Sequence, residues 1–437
     1  MFLLYRQLFK LNMFLCTSFF YNNVMKILIV SQYYYPENFV ISKVAEKLVS
    51  YGHDVTVLTA KPNYGYGYIF PEYKNIKFEE VNGVKINRVN IIPRGKSRFS
   101  IIRNYLSFWR NSKRWARKTK EQFDVVYSMS LSPVTILSAG NLYKKLHKVP
   151  HVVHCVDLWP ESVLATKAVR EGSPMYKILF KWSKKLYSKV DKVLIGSPSF
   201  DKYFKNVLTL EKEFVFVPQA SLIEDTKNIK PVAFNEGFNI VYCGNLGILQ
   251  EAEKIPEIMS RVNNKNVYFH IIGMGPKKDE LIENISKFKV IKNVFYHGPM
   301  DSSSAASFIN AADAVYLSMN AEGYVGKTLP NKLMMYLAIG KPIIAAISGD
   351  AKEFLKKLYE DYEIKIFTTR NKLLTAKWLI NNNLDKYLKT YDNSLIIITY
   401  FWLFLATILI LSLNLYSAIS FACNTGCSYS SDNICWT

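Results

Sequence analysis

Short apolar runs recur along the first half of the chain, at 27–31, 55–59, 84–91, 125–129, 152–156 and 193–197. Stretches of helical spacing lie between several of them. One begins near Asn38, a suitable cap, and stops at Gly52; another begins at Ser132 with Pro133 in its first turn. Continuous apolar strands alternating with helices predict a parallel sheet covered on both faces. Residues 218–237 break this rhythm, being polar with prolines at 218 and 231, and read as a linker. Apolar runs then resume at 240–243, 267–272, 294–297, 314–318, 342–346 and 364–367. The pattern therefore predicts two consecutive βα domains, 25–217 and 237–370, joined by a linker at 218–236. Open sheets of this kind bind ligands beyond the carboxyl ends of their strands. No sequence period of a solenoid interrupts the reading.

The ends differ from the middle. Residues 1–24 are apolar and aromatic with only Arg6 and Lys10 charged, and a strong strand starts directly after them. They read as an upstream extension or a membrane-surface tail, with the functional chain starting near Met25. Residues 371–393 have room for one connecting helix. The uncharged stretch 394–423 exceeds the roughly 20 residues that span a bilayer and is a candidate transmembrane helix, followed by a short tail at 424–437. Lys386 and Lys389 precede it and only Asp432 follows, which puts the main body on the cytoplasmic side.

Composition narrows the function classes. An apolar content of 49% with 14% aromatics excludes wholesale disorder. The net charge of +21 calls for an acidic partner: nucleic acid, anionic lipid or a phosphorylated substrate. Six cysteines show no CxxC pair, and Cys155 and Cys243 fall inside apolar runs, as small core residues do. A reduced, cytosolic body follows.

Candidate chemistry gathers at the strand ends. The first βα turn, SQYYYPENF, lacks GxGxxG, which argues against a dinucleotide there. Within it Pro36, Glu37 and Asn38 form a tight turn; Glu37 either meets substrate hydroxyls or caps the helix. CGNLG places Gly244, Asn245 and Gly247 after a strand, where backbone N–H groups make a small anion nest. GMGP contributes Gly273 and Gly275, and HGPM contributes Pro299 and Met300. Lys327, Pro330 and Lys332 lead into a short apolar helix, and a helix N-terminus flanked by lysines suits a phosphate. Ordinary αβ turns explain each of these singly and the set less easily. HVVHCVDLWPES ends an apolar strand with His154, Asp157 and Glu161. His154 is equally a satisfied core histidine, and Asp157 equally a turn cap. No metal-ligand spacing, GxSxG or P-loop occurs, so no metal is expected. Residues 94–120 carry ten Lys/Arg and no acid, interleaved with aromatics. Arg103, Trp109, Arg110, Arg114 and Trp115 fit an anionic membrane surface or nucleic acid, and the tryptophans and terminal apolar span favour lipid.

PENF, LTAKPNY, DLWPES, CGNLG, GMGP and PNKLMMYLAIGKPII together resemble bacterial glycosyltransferases of family 4, in the O-antigen and capsule subgroup that includes N-acetylfucosamine transferases. The likeness runs from about Met25 to Phe354. It implies an α/β GT-B fold, two Rossmann-like domains facing across a cleft, with the first on the acceptor side. It also implies metal-independent transfer with retention, from a nucleotide sugar expected to be UDP-linked, and no separate cofactor. The acceptor would be a polyprenyl-diphosphate-linked glycan, placing the protein at the cytoplasmic face of the bacterial inner membrane; nucleic acid is not expected. By the same resemblance Gly244, Asn245 and Gly247 face the diphosphate, and Lys327 and Lys332 offset its charge. Pro299 and Met300 lie near the base, and Asp157 and His154 face the reacting sugars. Family members often carry two glutamates eight positions apart; Lys327 and Met335 stand there, leaving Glu322 as the candidate for the ribose. The likeness fades after Phe354, where an apolar span replaces a helix crossing back to the first domain, as a truncated or frameshifted product would. The alternative expectation is a catalytically degenerate, membrane-tethered GT-B protein that only binds nucleotide or a partner.

Overall fold

The computed structural model describes residues 24–95, 97–165, 169–221, 228–262, 266–320, 323–362 and 366–368. The expected extension at 1–24 apart from Val24, the connecting helix, the apolar span at 394–423, the tail and Glu322 lie outside them. Among the described residues no helix is long and apolar enough to cross a membrane.

The apolar runs form two sheets. In the first domain β1 (Lys26–Val30), β2 (Asp54–Ala60), β3 (Phe78–Val81), β4 (Val84–Val89), β5 (Val125–Ser130), β6 (His151–Cys155), β7 (Lys192–Ile195) and β8 (Phe214–Phe216) lie in the order β3-β4-β2-β1-β5-β6-β7-β8. All neighbours are parallel except β3 and β4, which form a hairpin. Its turn is Asn82–Gly83, both at positive φ (53° and 77°), the two-residue conformation that matches the twist of paired strands. The apolar runs do not reveal β3, which carries two glutamates; the Asn-Gly pair between valines was its signal. The three-residue β8 also escapes them.

The second sheet holds β9 (Phe238–Cys243), β10 (Val267–Ile272), β11 (Val294–Gly298), β12 (Ala314–Ser318), β13 (Ile343–Ala346) and β14 (Ile366–Thr368). Its order is β11-β10-β9-β12-β13-β14, every pair parallel. In sequence terms that is 3-2-1-4-5-6, the doubly wound order, with its switch point between β9 and β12. The first sheet switches between β1 and β5.

Helix boundaries differ from the sequence reading in two places. The first helix, α1 (Val40–Ser50), has Phe39 at its N-cap with no side-chain hydrogen bond, so Asn38 does not cap it. The helix expected from Ser132 starts later: a 3₁₀ turn at Val134–Ile136 follows Pro133 and leads into α3 (Leu137–His147). Between these lies α2 (Arg98–Lys118), capped by Ser97, whose hydroxyl accepts from the Ser100 N–H. After β6 come α4 (Glu161–Ala165) and α5 (Pro174–Tyr187); Ser173 caps α5, with Pro174 in its first turn. Right-handed crossovers put α2, α3 and α5 on one face of the first sheet, with α3 packed between the other two. The second domain adds α6 (Ile255–Met259), α7 (Lys278–Lys287), α8 (Ser302–Ala311), α9 (Asn331–Ile339) and α10 (Gly349–Tyr362).

The two domains touch along one side. The Leu329 N–H donates to Ser197 Oγ (2.7 Å), and the Ser199 N–H to Asp350 Oδ2 (2.7 Å). Tyr203 meets Tyr324 edge-on at 4.8 Å, and Phe216 meets Phe354 at 6.3 Å. The described part of the linker is held on the second domain: the Val232 N–H donates to the Ser307 carbonyl, and Phe234 stacks on His270 at 4.1 Å. Cys155 and Cys243 are buried and unpaired, as their apolar surroundings predict.

Candidate functional site

The carboxyl ends of both sheets face a cleft of about 570 Å³. From the first domain it takes Asn38 and Phe39 after β1, Leu131 after β5 and Asp157 after β6. From the second it takes Gly244 and Asn245 after β9, Met319 after β12, and the stretch Thr328–Lys332 that opens α9. Both switch points thus empty into one space, where open α/β sheets bind ligands. Of the residues singled out in the sequence, it brings together Asn38, Asp157, Gly244, Asn245, Met300, Pro330, Lys332 and Met335.

The second-domain wall is built on backbone closeness. Gly244 has φ +150°, and a Cβ there would meet the Lys332 side chain at 3.5 Å. The Gly244 N–H donates to the Ile272 carbonyl and the Leu246 N–H to the Met274 carbonyl, fixing the loop. Gly273 and Gly275 lie behind it and do not line the cleft. A Cβ on Gly273 would fall 1.8 Å from the Gly244 oxygen, and one on Gly275 would fall 2.4 Å from the Leu246 oxygen. These glycines seat the CGNLG loop, of which Gly244 and Asn245 line the cleft. Gly247 is held by its own loop, a Cβ there meeting Gln250 Oε1 at 2.5 Å.

Lys332 enters from α9. Its Nζ donates to Tyr242 Oη (2.8 Å), which donates in turn to the Asn245 carbonyl (2.7 Å). The same ammonium lies 4.0 Å from the Tyr242 ring centroid. Desolvation lowers its pKa to about 7, against a smaller opposite pull from Cys243. A cation poised to lose its proton at neutrality, beside a glycine loop and a helix N-terminus, is ready for an anion. Lys327 is exposed instead, 4.6 Å over the Tyr324 ring, and does not line the cleft; nor does Pro299. Met335, where the resemblance seeks a glutamate, does line it.

Across the cleft, burial pushes the Asp157 carboxyl up to about 6. Its backbone N–H donates to the Ser130 carbonyl, and among the described residues no donor reaches its carboxylate. His154 points elsewhere: Nε2 donates to the Val217 carbonyl (2.8 Å) and Nδ1 accepts from Tyr127 Oη (3.1 Å). With both nitrogens engaged and burial lowering its pKa to about 4, it is a neutral core histidine. Glu161 is buried too, Oε1 accepting from Tyr176 (2.9 Å) and Tyr203 (3.0 Å), below the Tyr203–Tyr324 contact. Glu37 Oε1 accepts from the N–H groups of Asn63 (2.7 Å) and Tyr64 (2.6 Å), tying the first turn to the LTAKPNY loop. Pro36 is half-buried beside it.

Gln219, Gln250, Thr328 and Asn331 line the cleft without having been singled out. Gln219 follows β8, so missing that strand hid its carboxyl end. Thr328 and Asn331 flank motif residues, and Gln250 is positioned by the bond from Ser318 Oγ to its carbonyl.

On α2, Arg103, Arg110 and Arg114 are exposed. Trp109 and Trp115 are only half-exposed, the first meeting Trp182 edge-on at 6.1 Å and the second packed on the first domain's core. The freely exposed large apolar side chains there are Phe99, Ile102 and Leu106. Helical phase decided this, because aromatic count does not record which face each ring takes.

Comparison with known proteins agrees with this architecture. Residues 38–218 match the glycosyl transferase 4-like domain family and residues 237–368 the glycosyl transferases group 1 family. The chain is 24% identical over 364 residues to Escherichia coli K12 WcaI, named as a colanic acid biosynthesis glycosyl transferase, covering 77% of this chain and 86% of that one. It is 22% identical to the Pseudomonas aeruginosa glycosyltransferase WbjE, covering 52% and 58%. Among solved structures, HepE of Anabaena with UDP and glucose superposes with a TM-score of 0.62 at 13% identity, covering 90% of this chain and all of that one. Sucrose-phosphate synthase of Thermosynechococcus elongatus gives 0.64 at 14%, covering 91% and 100%.

Proposed function

Since its two domains make this chain a GT-B glycosyltransferase of the 4-like and group 1 families, we propose that it transfers a sugar from a UDP-linked donor, with retention, to a lipid-linked glycan in bacterial surface polysaccharide synthesis. The observation that carries the reading is the pairing, across one cleft, of the Gly244–Lys332 wall with Asp157, whose carboxylate no donor reaches among the described residues. The diphosphate would lie on the Gly244–Asn245 loop and the α9 N-terminus, with Lys332 balancing its charge. As the anomeric C–O bond breaks, charge grows on the departing diphosphate, and preorganised N–H groups and an ammonium stabilise it without rearranging. The acceptor hydroxyl bonds the same carbon from the same face and its proton leaves with UDP. Asp157 would face the positive charge that develops on the donor sugar, and Met300 would lie near the base. No metal is required, and an acceptor carried by a polyprenyl diphosphate sets the reaction at the cytoplasmic face of the inner membrane.

Incubating the purified full chain with a panel of UDP-sugars and polyprenyl-diphosphate glycans should release UDP. Met335 in the cleft favours one second reading, a degenerate protein that binds nucleotide without turnover. UDP affinity with silence across the whole panel would select it.

A further inference from the structure

A second, larger hollow lies away from the cleft, on the helical face of the first domain. It measures about 930 Å³. α3 forms its floor with Ser138 and Leu142; α2 gives one wall through Trp109 and Lys113; α5 gives the other through Trp182 and Lys185, continued by Lys189 in the turn that follows the helix. Lys144, Lys145 and Lys148 also line it, and among the described residues no carboxylate side chain does. Lys144 is engaged by Asp191, which leaves five lysines around the space. They converge closely enough that Arg117 and Lys189, after desolvation, lower the Lys113 pKa. Ser138 lines this hollow at 6% exposure, and among the described residues its buried Oγ has no hydrogen-bond partner. Unpartnered buried hydroxyls are rare enough to need a reason.

The two walls continue as matching stripes. On α2, Ile102, Leu106, Trp109 and Lys113 follow i, i+4, i+7, i+11 spacing; on α5, Met175, Ile178, Trp182 and Lys185 follow i, i+3, i+7, i+10, and Lys189 follows in the turn after the helix. Ile102, Leu106, Met175 and Ile178 are all exposed. Each stripe is therefore apolar at the helix start, the end nearer the cleft, and basic towards its finish. Lysines in a last turn also complement the helix dipole, but that accounts neither for the Trp-lined interior nor for the exposed apolar starts. A nucleic acid would use the lysines and leave those apolar side chains in water; a bilayer uses both.

We infer that this groove receives the phosphate headgroup of an anionic phospholipid, while the apolar starts of α2 and α5 enter the acyl boundary beside the cleft. The inference deepens the membrane setting proposed above and rests on it. It does not depend on the transfer chemistry, which UDP release reports separately.

The test compares the full chain with K113A/K185A/K189A on vesicles of phosphatidylcholine with and without phosphatidylglycerol, following tryptophan quenching by brominated acyl chains. Each lysine near an anionic surface contributes about 1 kcal/mol, so the triple variant should partition on the order of 100-fold more weakly to the anionic vesicles. Binding to neutral vesicles and affinity for UDP should not change, which also shows that the variant is folded. W182F should lose part of the quenching. Equal binding of both proteins to anionic vesicles would overturn the inference, as would wild-type quenching indifferent to phosphatidylglycerol. Displacement by soluble diphosphate at matched ionic strength, or by RNA, would overturn it too, because the groove would then take a free anion or a nucleic acid.

Discussion

Lys332→Met keeps the length of the side chain and removes its charged head. The ammonium holds Tyr242 and, through it, the Asn245 carbonyl, so under the proposed function it would both contact a diphosphate and aim the loop that cradles one. A hydrogen bond from a charged donor contributes about 1.5–3 kcal/mol, which corresponds to a roughly 10- to 150-fold weaker UDP affinity at a pH below 7. The pH dependence is more diagnostic. In the free protein the folded pKa is about 7, against an ordinary 10.5, while a bound diphosphate favours the protonated form. Binding above pH 7 therefore takes up a proton, and wild-type affinity falls as pH rises, by at most about tenfold per unit. In K332M this slope disappears. The stability sign is opposite: between 7 and 10.5 the unfolded chain holds more protons than the folded one, so wild type gains stability as pH rises through that window. The cost of burying the charge is complete below pH 7, where K332M should melt above wild type. Titration calorimetry of UDP in two buffers of different ionisation enthalpy counts the proton, and thermal melts across pH give the second readout. Unchanged UDP affinity in K332M, or a proton count that the substitution does not alter, would refute the assignment.

Asp157→Asn should lower kcat by about 100-fold or more with UDP affinity kept, and wild-type kcat should rise with pH through about 6 as the carboxylate ionises. Because that folded pKa lies above the ordinary 3.8, the wild type loses stability as pH rises from 3.8 to 6, so D157N should melt higher above pH 6. Gly273→Ala meets the Gly244 oxygen and should destabilise by at least about 2 kcal/mol in denaturant titration. Gly298→Ala, at φ +77° with open space around its Cβ, should cost only about 1 kcal/mol, the strain of a left-handed alanine. His154→Ala leaves the Val217 carbonyl unpaired and should cost about 1–3 kcal/mol of stability, with kcat per folded molecule unchanged; a selective loss of kcat would put the imidazole back in the chemistry.

Strand positions were legible wherever both faces of a strand are covered, because such strands are written as unbroken apolar runs. β3 and β8 were hidden because an edge strand is half solvated, as Phe78–Val81 is, and because three residues make no run. The motif residues divide in the same way. Gly244 and Lys332 act through where the chain passes, so sequence position identified them. His154, Glu161 and Glu37 are ionisable groups at strand ends like Asp157, yet each finds internal partners, and nothing in a linear pattern announces a hydrogen bond to a residue 26 to 63 positions away.

The sequence by itself determined two parallel-sheet domains, because hydrophobic periodicity is a local property, and the resemblance of its motifs pointed to the glycosyltransferase family. Only the tertiary structure decided which polar groups stay unpaired in the cleft, that Gly273 and Gly275 support the nest instead of forming it, and that Trp109 closes a groove with Trp182. Those outcomes depend on pair distances set when distant segments pack, and the same residue type lines the cleft or joins the core according to which neighbours the fold brings to it.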